Sequence, residues 1–300
     1  MTWTESAALV ALLRMGTRPW PHYAGMVEES GSALAVLERE TSERRHGQAS
    51  LFADPAQPEP EPERMLRCAT ADIERWRGQG MKLLTVLDAD YPDNLRTVHD
   101  RPPLIFVSGD LRAEDARSVA VVGTREPSVA GAAEAAAVAE HLVDAGFTVV
   151  SGLATGIDTA VHEASLSRGG RTIAVVGTGL HRVYPPQNAD LQRRISQAGA
   201  VISQFWPEAP PSRQSFPMRN AVMSGLTLGS VVVEATRTSG ARMQARLALA
   251  HGRPVFLLRR LTREDWAREF ATRPGAHVVD EPGEITQIIG RLTSAGVLSP

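Results

Sequence analysis

Two apolar runs, Val119-Ala-Val-Val122 and Thr148-Val-Val-Ser151, each stop at a small-residue loop and lead into a helix-like segment. The loops are Gly123-Thr-Arg125 and Gly152-Leu-Ala-Thr-Gly156. A strand that ends in glycine just ahead of a helix is how an α/β sheet presents backbone N–H groups to an anion. Two such edges side by side predict a phosphate-binding crevice, open to the phosphates of a nucleotide or to those of a DNA strand.

The same alternation runs from Arg117 to Leu258. Strands are expected at Val119–Val122, Thr148–Ser151, Thr172–Val176, Ala200–Gln204, Ser230–Glu234 and Pro254–Leu258, and helices at Ala130–Ala145, Ile157–Ser167, Asn188–Gln197, Arg219–Leu226 and Ala241–Ala250. Apolar strands separated by helices of this length indicate βαβ units and a mostly parallel sheet. After residue 261 a helix, a short strand at His277–Val279 and a final helix from Glu284 are expected.

Upstream, residues 4–39 read as short helices. Ala7, Leu9, Val10, Leu12 and Leu13 form one apolar face, and Met26, Leu34, Val36 and Leu37 another. Gln48–Glu63, with Pro55, Pro58, Pro60, Pro62 and interspersed acids, has the composition of a linker. Residues 64–114 form a bridge, with a helix at Ala69–Gln79, strands at Met81–Leu87 and Pro102–Gly109, and a turn at Asp90–Asn94. The expected organisation is a small all-α domain over 1–47, a linker over 48–64 and an α/β domain over 65–300, with its tail from 259.

Composition narrows the class. No run approaches the roughly 18 apolar residues of a membrane span, and Met1-Thr-Trp-Thr-Glu5 lacks the basic start of a secretory signal. Cys68 is the only cysteine, which excludes an internal disulfide and a multi-cysteine zinc site and fits a reducing, cytoplasmic setting. The net charge of −2 is unevenly spread: residues 115–260 carry 15 arginines against 10 acidic side chains, a local balance of +5. The positive excess lies on the segment that holds the glycine loops, as an anionic partner requires.

Each loop offers a particular chemistry. Gly123 permits close approach, Thr124 supplies a hydroxyl and Arg125 a planar fork for phosphate, although the same tripeptide serves as a plain strand-to-helix turn. Ser151 and Gly152 leave a strand, and Gly156 opens a helix whose N-terminus attracts an anion. Asp158 is expected to complement that helix dipole. His162 is expected to be a packed or capping histidine, because the pair lacks a third metal ligand. Gly177 ends another strand, with Arg182 and Tyr184 as a charge and a stacking face; the plainer alternative is a proline-stiffened loop over a packed Tyr184. Arg213 and Arg219-Asn220 interleave with aromatics in Ser212–Asn220, a pattern suited to single-stranded nucleic acid; the preceding Phe205 is expected in the core. Ser239-Gly240 opens a further helix, with Arg242 in its first turn. No loop is a P-loop or a Gly-x-Gly-x-x-Gly turn.

Taken in order, Ser151-Gly-Leu-Ala-Thr-Gly-Ile-Asp158 with His162, Gly177-Thr-Gly-Leu180, Tyr184-Pro-Pro186, Asn188, Phe216-Pro217, Arg219-Asn220, Gly225-Leu226, Val233-Glu-Ala235 and Ser239-Gly240 resemble the DNA-processing protein A family (DprA/Smf). Asp90-Tyr-Pro92, Pro102-Pro-Leu104 and Gly109-Asp-Leu111 resemble its lead-in, so the likeness covers roughly residues 65–258, and the N-terminal helices more weakly resemble its SAM-like domain. The resemblance implies an extended Rossmann-like, doubly wound domain that binds single-stranded DNA, protects it in natural transformation, helps load the RecA recombinase and acts as a homodimer. It implies no catalytic residue, no cofactor and no metal. By position it assigns DNA contacts to Arg125, Ser151, Gly152, Arg219, Asn220, Ser239 and Gly240. The chain departs from the family pattern at Met218-Arg-Asn-Ala221, where Arg-Arg-Asn-Arg is usual, at Ser239–Ala245, and after Leu258, where residues 259–276 replace the segment that helps form the family dimer. Arg242 is placed to restore a lost charge.

The alternative is a nucleotide site. Related Rossmann-like hydrolases cleave N-glycosidic bonds with a glutamate at a strand end, where Glu234 lies here, but their Pro-Gly-Gly-x-Gly-Thr signature is absent. A third reading is a partner-binding scaffold that keeps the fold alone.

Overall fold

The computed structural model describes residues 4–48 and 62–298. Of the expected linker, residues 49–61 lie outside the described residues, and Pro62 already opens a helix. The chain forms two compact units.

The first unit comprises the described residues up to Tyr91, with Pro102–Ile105. It holds α1 (Glu5–Met15), α2 (Trp20–Ser30), α3 (Ala33–Gln48), α4 (Pro62–Gly78) and β1 (Met81–Thr85). Thr4 caps α1 by accepting from the Ala7 amide at 3.2 Å, and Gly16 ends it in the left-handed region at φ 64°. Leu9, Leu12, Tyr23, Leu37 and Trp76 are fully buried. Residues 65–91, which the sequence joins to the α/β domain, group here with the N-terminal helices. The reason lies on α4, which buries Leu66, Ala69 and Trp76, pairs Asp72 with Arg14 and receives the Arg14 guanidinium 5.8 Å from the Trp76 ring centre.

The second unit comprises Pro92–Arg101 and the described residues from Phe106. After α5 (Asp93–Arg96) and β2 (Leu104–Gly109) come β3 (Ser118–Val122), α6 (Val129–Asp144), β4 (Thr148–Ser151), α7 (Ile157–Ser167), β5 (Thr172–Val175), α8 (Ala189–Ala198) and β6 (Ala200–Ser203). There follow α9 (Ser215–Leu226), β7 (Ser230–Val232), α10 (Gly240–Ala250), β8 (Val255–Leu258), α11 (Asp265–Ala271), β9 (Ala276–Val279) and α12 (Pro282–Ser294). Its strands pair in the order β2-β6-β5-β4-β3-β7-β8-β9. Phe106–Gly109 of β2 runs antiparallel to β6, and the remaining pairs are parallel.

This is the α/β, doubly wound sheet expected from the strand–helix alternation, preceded by helices. Val119, Val121 and Val149 are fully buried beneath α6, α7 and α12, among Val138, Leu142, Ile157, Val161 and Ile285. Each such side chain contributes roughly 1.5–3 kcal/mol relative to exposure. Alternation sends Ala120 and Val122 to the opposite face, where α9 and α10 lie against β3 and β7. The segment that departs from the family pattern is itself packed: Trp266 and Phe270 of α11 are buried, and Trp266 donates its indole N–H to the Ala235 carbonyl at 3.1 Å. It thereby braces the loop between β7 and α10. Among the described residues, no helix is long and apolar enough to cross a membrane.

Candidate functional site

The strand order reverses between β3 and β7, with β4, β5 and β6 on one side of β3 and β7, β8 and β9 on the other. Open α/β sheets bind ligands at such a reversal, beyond the carboxyl ends of the strands. A cleft of about 400 Å³ opens there. Its walls are Gly123-Thr124-Arg125 after β3, Ala154 and Asp158, Phe216, Arg219 and Asn220 of α9, and Thr238-Ser239-Gly240 at the start of α10. A recess of about 70 Å³ shares Arg125, Phe216 and Arg219 with it and continues past Gly152, Gly177 and Tyr184.

Backbone bonds hold the loops together. Thr124 donates its amide to the Glu234 carbonyl at 2.6 Å, and Ile157 donates to the Thr124 carbonyl at 3.1 Å. Gly156, at φ 82°, makes this approach possible: a Cβ there would stand 2.5 Å from the Thr124 carbonyl oxygen. Gly156 is therefore a packing glycine of the site. On the other wall, Ser239 caps α10 by accepting from the Ala241 amide at 3.2 Å, and Asn220 donates to the Gly240 carbonyl at 3.4 Å.

Arg219 is the central charge. It is only 6% exposed, and its Nε has no hydrogen-bond partner. Burial pushes its pKa down, the Asp158 charge raises it and the Arg125 charge lowers it further. Arginine stays protonated through such shifts, so the depression expresses an incompletely compensated buried cation. Arg125 is exposed at the mouth, 5.5 Å above the Phe216 ring, and that ring lies 5.9 Å from Tyr184.

Asp158 does more than complement a helix dipole. It lies in the first turn of α7, yet its carboxylate accepts from the Gly152 amide at 3.2 Å and from the Ala154 amide at 3.3 Å. These are amides that the sequence offers to a phosphate, so the chain's own carboxylate occupies the second loop. Burial raises the Asp158 pKa, against the pull of Arg219, the two amides and Ser151.

His162 is the packed histidine expected. It is fully buried, with Nδ1 2.8 Å from the Thr172 hydroxyl, and burial, with the Arg219 charge, drives its pKa down to about 3.

Of the residues singled out from sequence, Gly123, Thr124, Arg125, Arg219, Asn220, Ser239 and Gly240 meet in the cleft, and Gly152 and Gly177 border the recess. Four others lie apart from both. The buried Ser151 hydroxyl donates to the Val121 carbonyl at 2.7 Å and thus ties β4 to β3. Arg182 donates to the Glu208 carbonyl at 3.2 Å and does not line the cleft. Exposed Arg213 lies outside it too. Arg242 lies 5.9 Å from the Trp266 ring centre, donates to the Arg237 carbonyl and does not line the cleft. Phe205 is half-buried rather than core, and Tyr184 is 40% exposed rather than packed beneath its loop. Phe216, the aromatic of Ser212–Asn220 that the sequence interleaves with Arg213 and Arg219, lines the cleft.

Glu234, the residue on which nucleotide hydrolysis would depend, is engaged elsewhere. Its carboxylate accepts from the Ser128 hydroxyl at 2.8 Å and pairs with Arg260 at 2.9 Å, at the N-terminus of α6, and it does not line the cleft.

Residues 82–290 match the family described as DNA recombination-mediator protein A. The Smf protein of Synechocystis is 38% identical over 190 residues, which are 62% of this chain and 48% of that protein. The chain thus spans about half the length of that curated relative. The X-ray structure of DNA processing protein A from Streptococcus pneumoniae superposes with a TM-score of 0.64 at 33% identity, covering 76% of this chain and 82% of that one. DNA processing protein A from Helicobacter pylori, described for its single-stranded DNA binding mode, gives a TM-score of 0.62 at 26% identity, covering 72% and 96%.

Proposed function

The chain belongs to the DNA recombination-mediator protein A family, and from that premise we propose that the cleft between β3 and β7 holds a single strand of DNA by its backbone. The observation that carries this reading is Arg219, a buried cation whose Nε lacks a partner, while Asp158, the carboxylate whose charge acts on it, is committed to the Gly152 and Ala154 amides. Such a cation is relieved when an anion enters. Arg125 adds a second charge at the mouth, and Phe216 with Tyr184 adds rings on which bases stack without being read. The N-terminus of α10, at Ser239-Gly240, adds a positive dipole end. Binding of this kind is tolerant of sequence and sensitive to salt.

The protein acts in this reading as a binding protein rather than an enzyme. Asp158 is held by two amides, His162 is buried, and Glu234 is spent on Ser128 and Arg260. Family membership extends the proposal to protection of single strands, to a homodimer and to a RecA-type recombinase as the next partner, as natural transformation requires. The test is fluorescence anisotropy of a labelled oligo-dT titrated at several salt concentrations. Binding that weakens steeply with salt is expected. No binding at low salt, or binding indifferent to salt, overturns the proposal, and release of free base from AMP or of nicotinamide from NAD would establish the nucleotide-hydrolase reading instead.

A further inference from the structure

At the other end of α10 from Ser239-Gly240, three side chains of metal-ligand type converge outside the cleft. His251 is the residue that ends α10, while His99 and Asp100 lie in the loop that follows α5. His251 Nε2 is 2.8 Å from Asp100 Oδ1, and one ligand atom from each of the three lies within 4.8 Å of the others. Among the described residues, no other group of three His, Cys, Asp or Glu side chains comes together in this way.

Several features suit an ion. The His251 side chain is fully buried, and its second nitrogen, Nδ1, lies 3.0 Å from the hydroxyl of the buried Ser224 on α9. A histidine that ligates through one ring nitrogen is normally oriented by a hydrogen bond at the other, and Ser224 already provides that bond. His99 is exposed and stands edge-on to His251, with ring centres 5.4 Å apart, so it is free to swing inward and leaves a fourth position open to water. The end of a helix favours positive charge. Two imidazoles and one carboxylate form a donor set used by zinc and other first-row divalent ions.

We propose that His99, Asp100 and His251 form a zinc-binding site that fastens the loop after α5 to the C-terminal end of α10. Tetrahedral zinc with bonds of about 2.0–2.1 Å sets its ligands roughly 3.3 Å apart. Binding therefore brings the three ligand atoms to that spacing and slightly opens the 2.8 Å Asp100–His251 contact. The metal replaces any proton on the ligating nitrogens, so uptake releases protons to solvent. Arg253, which donates to the Asn94 carbonyl and the Thr97 hydroxyl, already anchors the start of this loop.

The test titrates the chelator-treated protein with Co²⁺, followed by its visible absorption, and then with Zn²⁺ as competitor. One ion per chain is expected, with an absorption typical of nitrogen and oxygen ligands, displaced by zinc, and with a zinc-dependent rise in thermal midpoint. His99→Ala, at an exposed position, is expected to weaken zinc by at least tenfold while leaving the metal-free midpoint unchanged. Ser224→Ala is expected to weaken it by about 10–100-fold. Equal affinity in wild type and His99→Ala, or no saturable uptake, would overturn the proposal.

Discussion

The guanidinium of Arg219 fills the space in which a side chain at Gly152 would begin: a Cβ there would stand 1.4 Å from Nη1. The glycine at the end of β4 thus serves the arginine of α9 as well as its own loop. Gly152→Ala is expected to expel Arg219 from its recess. A charge-assisted hydrogen bond to phosphate contributes about 1.5–3 kcal/mol, so affinity for oligo-dT should fall roughly ten- to hundredfold. Urea denaturation should register a loss of about 1–3 kcal/mol from overpacking. Unchanged affinity would remove Arg219 from the list of DNA contacts.

His162 predicts a pH dependence. Its pKa is about 3 in the folded chain, against 6.5 when unperturbed. Between those values the unfolded chain binds a proton that the folded one does not. The associated stability is fully present above pH 6.5 and is lost as pH falls, by up to about 1.4 kcal/mol per unit. His162→Gln removes this dependence. Urea midpoints measured from pH 7 to pH 4 should therefore show wild type losing ground to the variant as pH drops. A difference that stays constant with pH would contradict the assignment. Asp158, whose pKa is raised by burial, shifts stability in the opposite sense, but it is common to both proteins.

Glu234 distinguishes support from chemistry. Glu234→Gln breaks the pair with Arg260 and weakens the contacts to Ser128. A stability loss of about 1 kcal/mol is expected for this partly exposed pair, with oligo-dT affinity within about twofold of wild type. A variant that binds DNA poorly at full stability would move Glu234 into the binding site.

Phe216 tests the aromatic part of the cleft separately from its charges. Phe216→Leu keeps an apolar side chain beneath Arg125 but removes the ring. Base–aromatic stacking contributes about 1–3 kcal/mol per base, so affinity should fall while the salt slope stays the same. A change in slope without a change in affinity would show that the ring acts only by holding Arg125.

Much of this arrangement is legible in the sequence, because periodicity and glycine placement are local. Thr148–Ser151 and Ile157–Ser167 fall where the apolar pattern puts them, and Gly123-Thr-Arg125, Arg219-Asn220 and Ser239-Gly240 do meet. What was not legible is which partner each polar group takes. The Ser151 hydroxyl is drawn into the sheet and the Asp158 carboxylate takes the loop amides, and no spacing rule distinguishes those acceptors from a ligand. Arg182, Arg213 and Arg242 look equivalent to Arg125 and Arg219 as charges; only the tertiary fold sends three away and two inward. His99 and His251 meet through the packing of α5 and α10 beside α9, which no local pattern records.

The most direct measurement is the salt dependence of oligo-dT binding for Arg125→Ala and Arg219→Ala beside wild type, with Arg182→Ala and Arg213→Ala as controls outside the cleft. Each phosphate contact on a single strand contributes about 0.7 to the slope of log affinity against log salt. Each cleft variant should lower that slope by roughly this amount and weaken binding, while the two controls leave it unchanged. Equal slopes for the wild type and both cleft variants, or losses confined to Arg182 and Arg213, would place the DNA elsewhere on the protein.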